Sequence, residues 1–432
     1  MTFFIESLGC AKNQVDSEYL IADLEARGLR WVGSPEEARI IIVNTCGFIT
    51  SAKDQSIQTS LSLKDRFPEK KVIMLGCLVQ RYTVELEREM GEIDGFVGLN
   101  DLDALWRLLS TGNGGRAGTV ETDQPQMRSR RRFLSFPGSA YVKVAEGCSN
   151  HCSYCAIPLI RGELISRPAL KILEEIEELL RQGVVEIVLI AQDLASYGQD
   201  RGTPELVALV RSILRLEGRF WLRLLYLHPD HFPMELLDVV AADPRVLPYF
   251  DIPFQHASRT VLAGMGRSGS AETYAKLVRG IRDRIPEAVV RSTFLVGFPG
   301  EREEDLEALL SFQRDCPLDW VGVFTYSREE GTPAFKLAGG VRKTVAEARR
   351  RAVERAQVGI SERLLDAQVR RTLDVLIEER VQGEELYLGR AYLHAPEVDG
   401  LVVVKADRLE PGKIYPVRIE GRAGIDLEAV LA

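Results

Sequence analysis

Gly147-Cys148-Ser149-Asn150-His151-Cys152-Ser153-Tyr154-Cys155 sets three thiols in one short loop, directly after the apolar run Tyr141-Val142-Lys143-Val144-Ala145. Three thiolates in C-x3-C-x2-C spacing do not close a tetrahedral structural zinc site, which takes four ligands. They can hold three irons of a four-iron, four-sulfur cluster and leave the fourth open for a ligand. An open iron is a place for chemistry. The competing reading is zinc with His151 or a distant histidine as fourth ligand. No C-x2-C partner follows at zinc-ribbon spacing, which weighs against it.

Around this loop, 432 residues exceed one ordinary core, and length alone suggests about three domains. An apolar content of 45% with 27% charged residues describes a folded globular chain and excludes wholesale disorder. No run approaches the roughly 18 apolar residues needed to span a bilayer. Met1-Thr2-Phe3-Phe4-Ile5-Glu6 lacks the basic and apolar regions of an export signal, so a cytoplasmic location is expected. Seven spaced cysteines fit a metal or catalytic role there better than a disulfide framework. A net charge of −8 argues against general coating by nucleic acid and leaves a local basic groove open.

Residues 1–125 read as a doubly wound α/β domain. Phe3-Phe4-Ile5-Glu6-Ser7-Leu8, Arg39-Ile40-Ile41-Ile42-Val43 and Lys71-Val72-Ile73-Met74-Leu75 are strand candidates separated by helical patterns, the first of these from about Val15 to Arg27. Cys10, Cys46 and Cys77 each follow one of these strands, beside Gly9, Gly47 and Gly76, which permit tight turns. Carboxyl ends of parallel strands line one crevice, so three thiols are expected to meet there as a second cluster site. A single buried cysteine after a strand is usually apolar filler; three in equivalent positions are not.

Residues 126–138 are expected to be a linker. Gly112-Asn113-Gly114-Gly115 precedes it and the basic run Arg128-Ser129-Arg130-Arg131-Arg132 lies within it, and the arginines are read as a solvated connector, with phosphate contact as the second option. From 139 to 366 the βα alternation resumes. Strands are expected at Tyr141–Ala145, Val185–Ile190, Trp221–Leu227, Tyr249–Phe254, Val289–Val296 and Trp320–Tyr326, giving a partial (βα)6 barrel with its site at the strand carboxyl ends. A helix opening near Pro168 and a long charged helix from about Lys343 to Ala367 belong to this region.

Residues 367–432 switch to a period of two. Leu373–Ile377, Tyr387–Tyr392, Leu401–Val404, Val417–Glu420 and Ile425–Leu431 suggest a small β-barrel of the oligonucleotide-binding kind. From Thr372 onward, twelve acidic residues face seven basic ones. That sign is wrong for gripping phosphates and suits a basic protein partner.

Two cysteine triplets, a central barrel with C-x3-C-x2-C after its first strand, and a terminal β-module together resemble the radical S-adenosylmethionine (SAM) methylthiotransferases along essentially the whole chain. In that family the terminal module is called TRAM. Ser7-Leu8-Gly9-Cys10-Ala11-Lys12-Asn13, Ile157-Pro158-Leu159-Ile160-Arg161-Gly162, Ser166-Arg167-Pro168, Ala191-Gln192-Asp193 and Tyr249-Phe250-Asp251-Ile252-Pro253-Phe254-Gln255-His256 are similar to the RimO branch, which modifies an aspartate of a small-subunit ribosomal protein. The alternative is the MiaB branch, which modifies a tRNA adenosine. Ala11 departs from the proline common at its position.

The resemblance implies two 4Fe-4S clusters. Cys148, Cys152 and Cys155 would hold the one whose open iron binds SAM and starts radical chemistry. Cys10, Cys46 and Cys77 would hold the auxiliary one that carries the sulfur. It implies an electron donor such as a flavodoxin or ferredoxin and a ribosomal-protein substrate taken free or on the ribosome, with RNA contact as the less favoured option. Tyr154 resembles the family position beside the adenine. Gln192 and Asp193 are candidates for SAM's polar groups, and Gly297 for close backbone approach to the adenosine. Strand-end polar residues also cap helices, so Gln192 and Asp193 carry that competing reading. Cys316 reads as apolar filler or a surface thiol, and His228, His231 and His256 stay outside the catalytic set. A non-catalytic RNA- or ribosome-binding protein with structural metal, using the β-module as its main site, is the rival from another class.

Overall fold

A computed structural model describes residues 1–99, 101–111 and 129–432; Gly112–Gly115 and Arg128 fall outside the described residues. The first sheet contains β1 (Thr2–Ser7), β2 (Arg30–Trp31), β3 (Ile40–Thr45), β4 (Lys71–Gly76) and β5 (Gly95–Val97). All pairings are parallel, in the order β2-β1-β3-β4-β5. β3 lies at the centre and is buried along its length, which is why it opens on the apolar run Ile40-Ile41-Ile42-Val43 before the buried polar pair Asn44 and Thr45. Strand order reverses between β1 and β3, and the crevice at such a switch point is where this class of sheet takes ligands. The edge strands β2 and β5 have two and three residues, too few for a periodic sequence signal.

The second sheet contains β6 (Ser139–Lys143), β9 (Glu186–Ile190), β10 (Trp221–Leu224), β11 (Val246–Asp251), β12 (Val289–Val296) and β13 (Trp320–Thr325). Between β6 and β9, the short strands β7 (Ala145–Glu146) and β8 (Ile165–Ser166) pair antiparallel and bracket the thiol loop. The six parallel strands follow chain order, and β6 and β13 are the two open edges. Both faces are buried. Ile187, Leu189, Leu222 and Leu224 pack under the helices, whereas Val188, Ile190, Trp221 and Tyr249 face the concave interior. This is the expected partial (βα)6 barrel.

Three strands depart from their expected spans, the first being Tyr141–Ala145, which is replaced by Ser139–Lys143 with Ala145 passing to β7. Trp221–Leu227 leaves the ladder after Leu224, where Tyr226 takes a φ of 66°. Tyr249–Phe254 is replaced by Val246–Asp251, and Gln255 beyond it takes a φ of 70°. Leu225, Leu227, Ile252 and Phe254 are all buried, so apolar character there reports burial under strand-end loops and not pairing.

The helix Lys343–Asp366 leads to β14 (Thr372–Arg380), β15 (Leu386–Arg390), β16 (Val402–Lys405), β17 (Ile414–Ala423) and β18 (Asp426–Leu431), which close into a barrel in the order β14-β15-β16-β18-β17. The loop from β15 to β16 plugs the concave face of the second sheet. Trp320 Nε1 donates to the Leu393 carbonyl at 2.7 Å, and Arg291 Nε lies 3.3 Å from Asp399 Oδ1. Beneath it, fully buried Glu186 accepts from Arg223 Nε at 2.8 Å and Arg390 Nη2 at 2.6 Å. Burial alone would raise the Glu186 carboxyl, but the two guanidinium groups outweigh it and hold it at about 2.

The basic run before β6 is not a solvated connector throughout. Arg130 is buried, with Nη1 2.5 Å from Glu18 Oε2 and Nη2 2.5 Å from Glu175 Oε1, so it clamps the first domain to the barrel. Among the described residues no helix is long and apolar enough to cross a membrane.

Candidate active site

The first triplet lies at the carboxyl ends of β1, β3 and β4. Cys10 precedes the helix Ala11–Ala26 and Cys77 opens the helix Cys77–Glu89, so both thiols sit at positive helix ends, which favour anionic sulfur. Cys46 donates its N–H to Ser56 Oγ at 3.0 Å. Gly9 takes a φ of 97°, and a Cβ there would come within 2.9 Å of Cys46 Cβ, so only glycine lets the Cys10 turn approach Cys46 this closely. Asn13 ties the group together. Its Oδ1 lies 3.9 Å from Cys10 Sγ and 3.5 Å from Cys77 Sγ, while its Nδ2 donates to the Leu8 and Thr45 carbonyls at 2.9 and 3.0 Å.

The second triplet sits in the loop between β7 and β8, fixed from three directions. Cys148 donates its N–H to the Gly162 carbonyl at 3.1 Å, and Ser153 donates its N–H to the Met265 carbonyl at 2.9 Å. Asn150 Nδ2 donates to Asp193 Oδ2 at 2.8 Å, and Asn150 Oδ1 lies 2.9 Å from His231 Nε2. The Ile157 N–H points to Cys155 Sγ at 3.4 Å, a donor of the kind that stabilises bound thiolate.

Both triplets offer only sulfur, in threes, on backbone that leaves the thiols half-buried or buried apart from exposed Cys10. Burial pushes Cys148 up to about 11, and Cys155 and Cys77 up to about 12, each chiefly by loss of hydration. Iron binding displaces such protons outright. The donor sets fit two iron–sulfur clusters.

The two triplets meet. Cys77 packs in one small buried cluster with Ala156 and Ile160, the residues just past Cys155. Arg161 ends that same helical turn and reaches back, with Nη2 3.4 Å from Cys77 Sγ, 2.8 Å from Asn13 Oδ1 and 2.9 Å from Asp16 Oδ2. Its Nη1 is 2.7 Å from Glu146 Oε1. Burial works against the Glu146 carboxylate, yet Lys143 and Arg161 hold its pKa at about 2. At the opposite edge of the barrel, Glu329 beyond β13 pairs with Arg81 at 2.7 Å and Lys53 at 2.9 Å. The first domain therefore spans the mouth of the barrel from β6 to β13.

The expected SAM-pocket residues fall in this region. Tyr154 packs with Met265, Leu295 and Phe298, and its hydroxyl accepts from Arg267 Nε at 3.2 Å. Gln192 is half-buried at the end of β9. Asp193 is buried and does cap the next turn, accepting from the Ala195 N–H at 3.0 Å, but its other oxygen holds Asn150 of the cysteine loop. Gly297 takes a φ of 79°, and a Cβ there would meet Ala346 Cβ at 2.6 Å, so packing of the long helix requires this glycine. Its N–H donates to Glu301 Oε2. His228 is buried with Nε2 unpartnered, and its pKa is driven down to about 4, first by burial and then by Arg267. Asp193, His228 and His231 bring ligand atoms within 4.8 Å of one another, but Asp193 is already committed to Asn150 and Ala195. Cys316 is buried at the end of the helix Glu303–Asp315, in the main barrel core. Asn13, Arg161 and Asn150 all lie inside quoted motifs, yet their bridging roles depend on long-range contacts, across the two domains for Asn13 and Arg161 and within the barrel for Asn150, that no local spacing encodes.

The uncharacterized protein family UPF0004 matches residues 2–98, the radical SAM superfamily matches 142–312 and the TRAM domain matches 369–431. The fold resembles the solved structure of TsrM, a radical SAM methyltransferase from Kitasatospora setae, with a TM-score of 0.58 and 18% identity over 77% of this chain and 73% of that one. This molecule is a radical SAM enzyme. Its sequence is 41% identical to the ribosomal protein uS12 methylthiotransferase RimO of Treponema denticola, across 98% of this chain and 99% of that protein. It is 42% identical to the protein of the same name from Carboxydothermus hydrogenoformans, across 97% of each. The chain belongs to the RimO family of methylthiotransferases.

Proposed function

We propose that this enzyme transfers a methylthio group to the β-carbon of an aspartate in ribosomal protein uS12. The observation that carries this reading is the junction of the two cysteine triplets at Arg161 and Cys77, which brings a radical-generating loop and a sulfur-carrying crevice to one mouth. Bound at Cys148, Cys152 and Cys155 and at Cys10, Cys46 and Cys77, two 4Fe-4S clusters together with SAM supply the electron, the hydrogen abstraction from an unactivated carbon and the transferred sulfur.

The chain's own residues position these groups. Tyr154 and Phe298 form an apolar wall beside the cysteine loop for the adenine. Asp193 orients the loop through Asn150, and Gln192 beside it is assigned to SAM's polar atoms. Gly297 supplies a backbone turn next to that wall, with its N–H taken by Glu301. Asn13 and Arg161 fix the auxiliary thiols relative to the barrel. The net acidic β-module supports a basic protein partner over RNA, and an electron donor such as a flavodoxin or ferredoxin completes the system. The setting assigned to this reaction is the cytoplasm.

The test is to incubate anaerobically reconstituted enzyme with SAM and reductant, separately with uS12 and with tRNA, and to measure the mass of each. Methylthio addition to uS12 alone supports the reading. Addition to tRNA alone overturns it.

A further inference from the structure

Lys12 has no part in the chemistry assigned above. It is the second residue of the helix Ala11–Ala26, two positions after Cys10, and only 4% exposed. Its Nζ lies 3.0 Å from the centroid of the Tyr226 ring, and among the described residues it makes no hydrogen bond or ion pair. An aromatic face stabilises an ammonium charge but satisfies none of its three N–H donors in the way an anion does. Buried charges are ordinarily paired.

Nearby carboxylates are already committed. Asp251 accepts from Arg291 Nη1 at 3.0 Å and from the Tyr226 N–H at 3.0 Å. Glu146 is held by Arg161 and Lys143. The auxiliary thiols already have a cation, Arg161, beside Cys77. Lys12 therefore stands poised for an anion that comes from outside the chain. Its aromatic support is rigid. Tyr226 holds a φ of 66°, a region costly for a bulky residue, and is pinned there by its N–H to Asp251 and by its carbonyl, which accepts the Leu194 N–H at 2.9 Å. Because Lys12 sits between Cys10 and the carboxyl end of β10, the incoming anion belongs to the molecule that enters between the two triplets.

We propose that Lys12, backed by the Tyr226 ring, pairs with the carboxylate of the substrate side chain and selects an acidic residue over an amide or a nucleobase. Lys12 is thus a substrate-binding residue that sets specificity, and the inference rests on the proposed uS12 aspartate reaction.

The experiment uses reconstituted full-length enzyme and a fluorescent uS12 peptide carrying the target aspartate, beside the same peptide with asparagine. Binding is read by anisotropy and product by mass. Unmodified enzyme should bind the aspartate peptide at least roughly tenfold more tightly than the asparagine peptide, the scale of a buried charge pair. Lys12→Gln should abolish that difference, and Lys12→Arg should restore part of it. Equal binding of the two peptides by the unmodified enzyme overturns the proposal without any variant. So does a Lys12→Gln protein that keeps the preference, or one that changes only the spectrum of the auxiliary cluster. Failure of the unmodified enzyme to modify the aspartate peptide overturns the uS12 reading itself, and this inference with it.

Discussion

Arg161 Nη2 lies 3.4 Å from Cys77 Sγ although 84 positions separate them in the chain. One residue belongs to the turn after the 148–155 cysteine loop, the other follows the end of β4. The contact joins two half-sites, each with three thiols, into one mouth. Removing Arg161 leaves the partly buried carboxylates Asp16 and Glu146 with Lys143 as their remaining cation, which costs up to about 3 kcal/mol, the lower end for a broken buried pair. Arg161→Ala is expected to lower stability by that amount in chemical denaturation. It is also expected to lose methylthio transfer more completely than SAM cleavage. Arg161→Lys keeps the charge without the fork and should fall between.

Arg130 and Arg132 separate two roles within one basic run. Arg130 is buried between Glu18 and Glu175, whereas the Arg132 side chain is 45% exposed beside Glu25. Arg130→Ala should destabilise by about 3–5 kcal/mol, and Arg132→Ala by at most about 1 kcal/mol. Equal small effects in urea denaturation would return the whole run to a solvated connector.

Acid should loosen the molecule through two buried histidines well before Glu186 titrates. His394 is buried near Arg223 and Arg390, and its pKa is driven from 6.5 to about 3, burial contributing most; His228 is driven to about 4. The unfolded chain takes up these protons below about pH 6.5 and the folded chain refuses them, so stability falls as pH falls through this window. By pH 5 each histidine accounts for about 2 kcal/mol. His394→Leu should remove roughly half of the drop in unfolding free energy between pH 7 and 5. Glu186, held at about 2, adds a separate loss only below about pH 4.5.

Cys316 provides the control. It is buried in the barrel core away from both triplets. Cys316→Ala should leave iron content and SAM cleavage unchanged and cost about 1 kcal/mol of stability through lost packing.

The placement of the cysteines was legible because they follow strands. Apolar runs closely followed by cysteine put Cys10, Cys46, Cys77 and the 148–155 loop at strand carboxyl ends. The closed terminal barrel was legible from its period of two. Burial across domains was not. Arg130 sits in a basic run with the composition of a solvated linker, and only tertiary contacts to Glu18 and Glu175 reveal its clamp. The β15–β16 loop plugs the concave face of the barrel, where Trp320 and Arg291 find partners in Leu393 and Asp399, and no local pattern in it marks that role. Lys12 lay inside a recognised motif, but nothing local in it told of the Tyr226 ring opposite.

The proposed reaction divides its labour between two joined cysteine triplets. It is tested most directly by measuring iron content, SAM cleavage and methylthio transfer side by side in two triple variants. The unmodified protein should hold about eight irons. Replacing Cys148, Cys152 and Cys155 with alanine should abolish SAM cleavage and leave about four irons. Replacing Cys10, Cys46 and Cys77 should also leave about four irons but spare SAM cleavage while ending transfer. SAM cleavage persisting in the first variant, or transfer persisting in the second, would contradict the account.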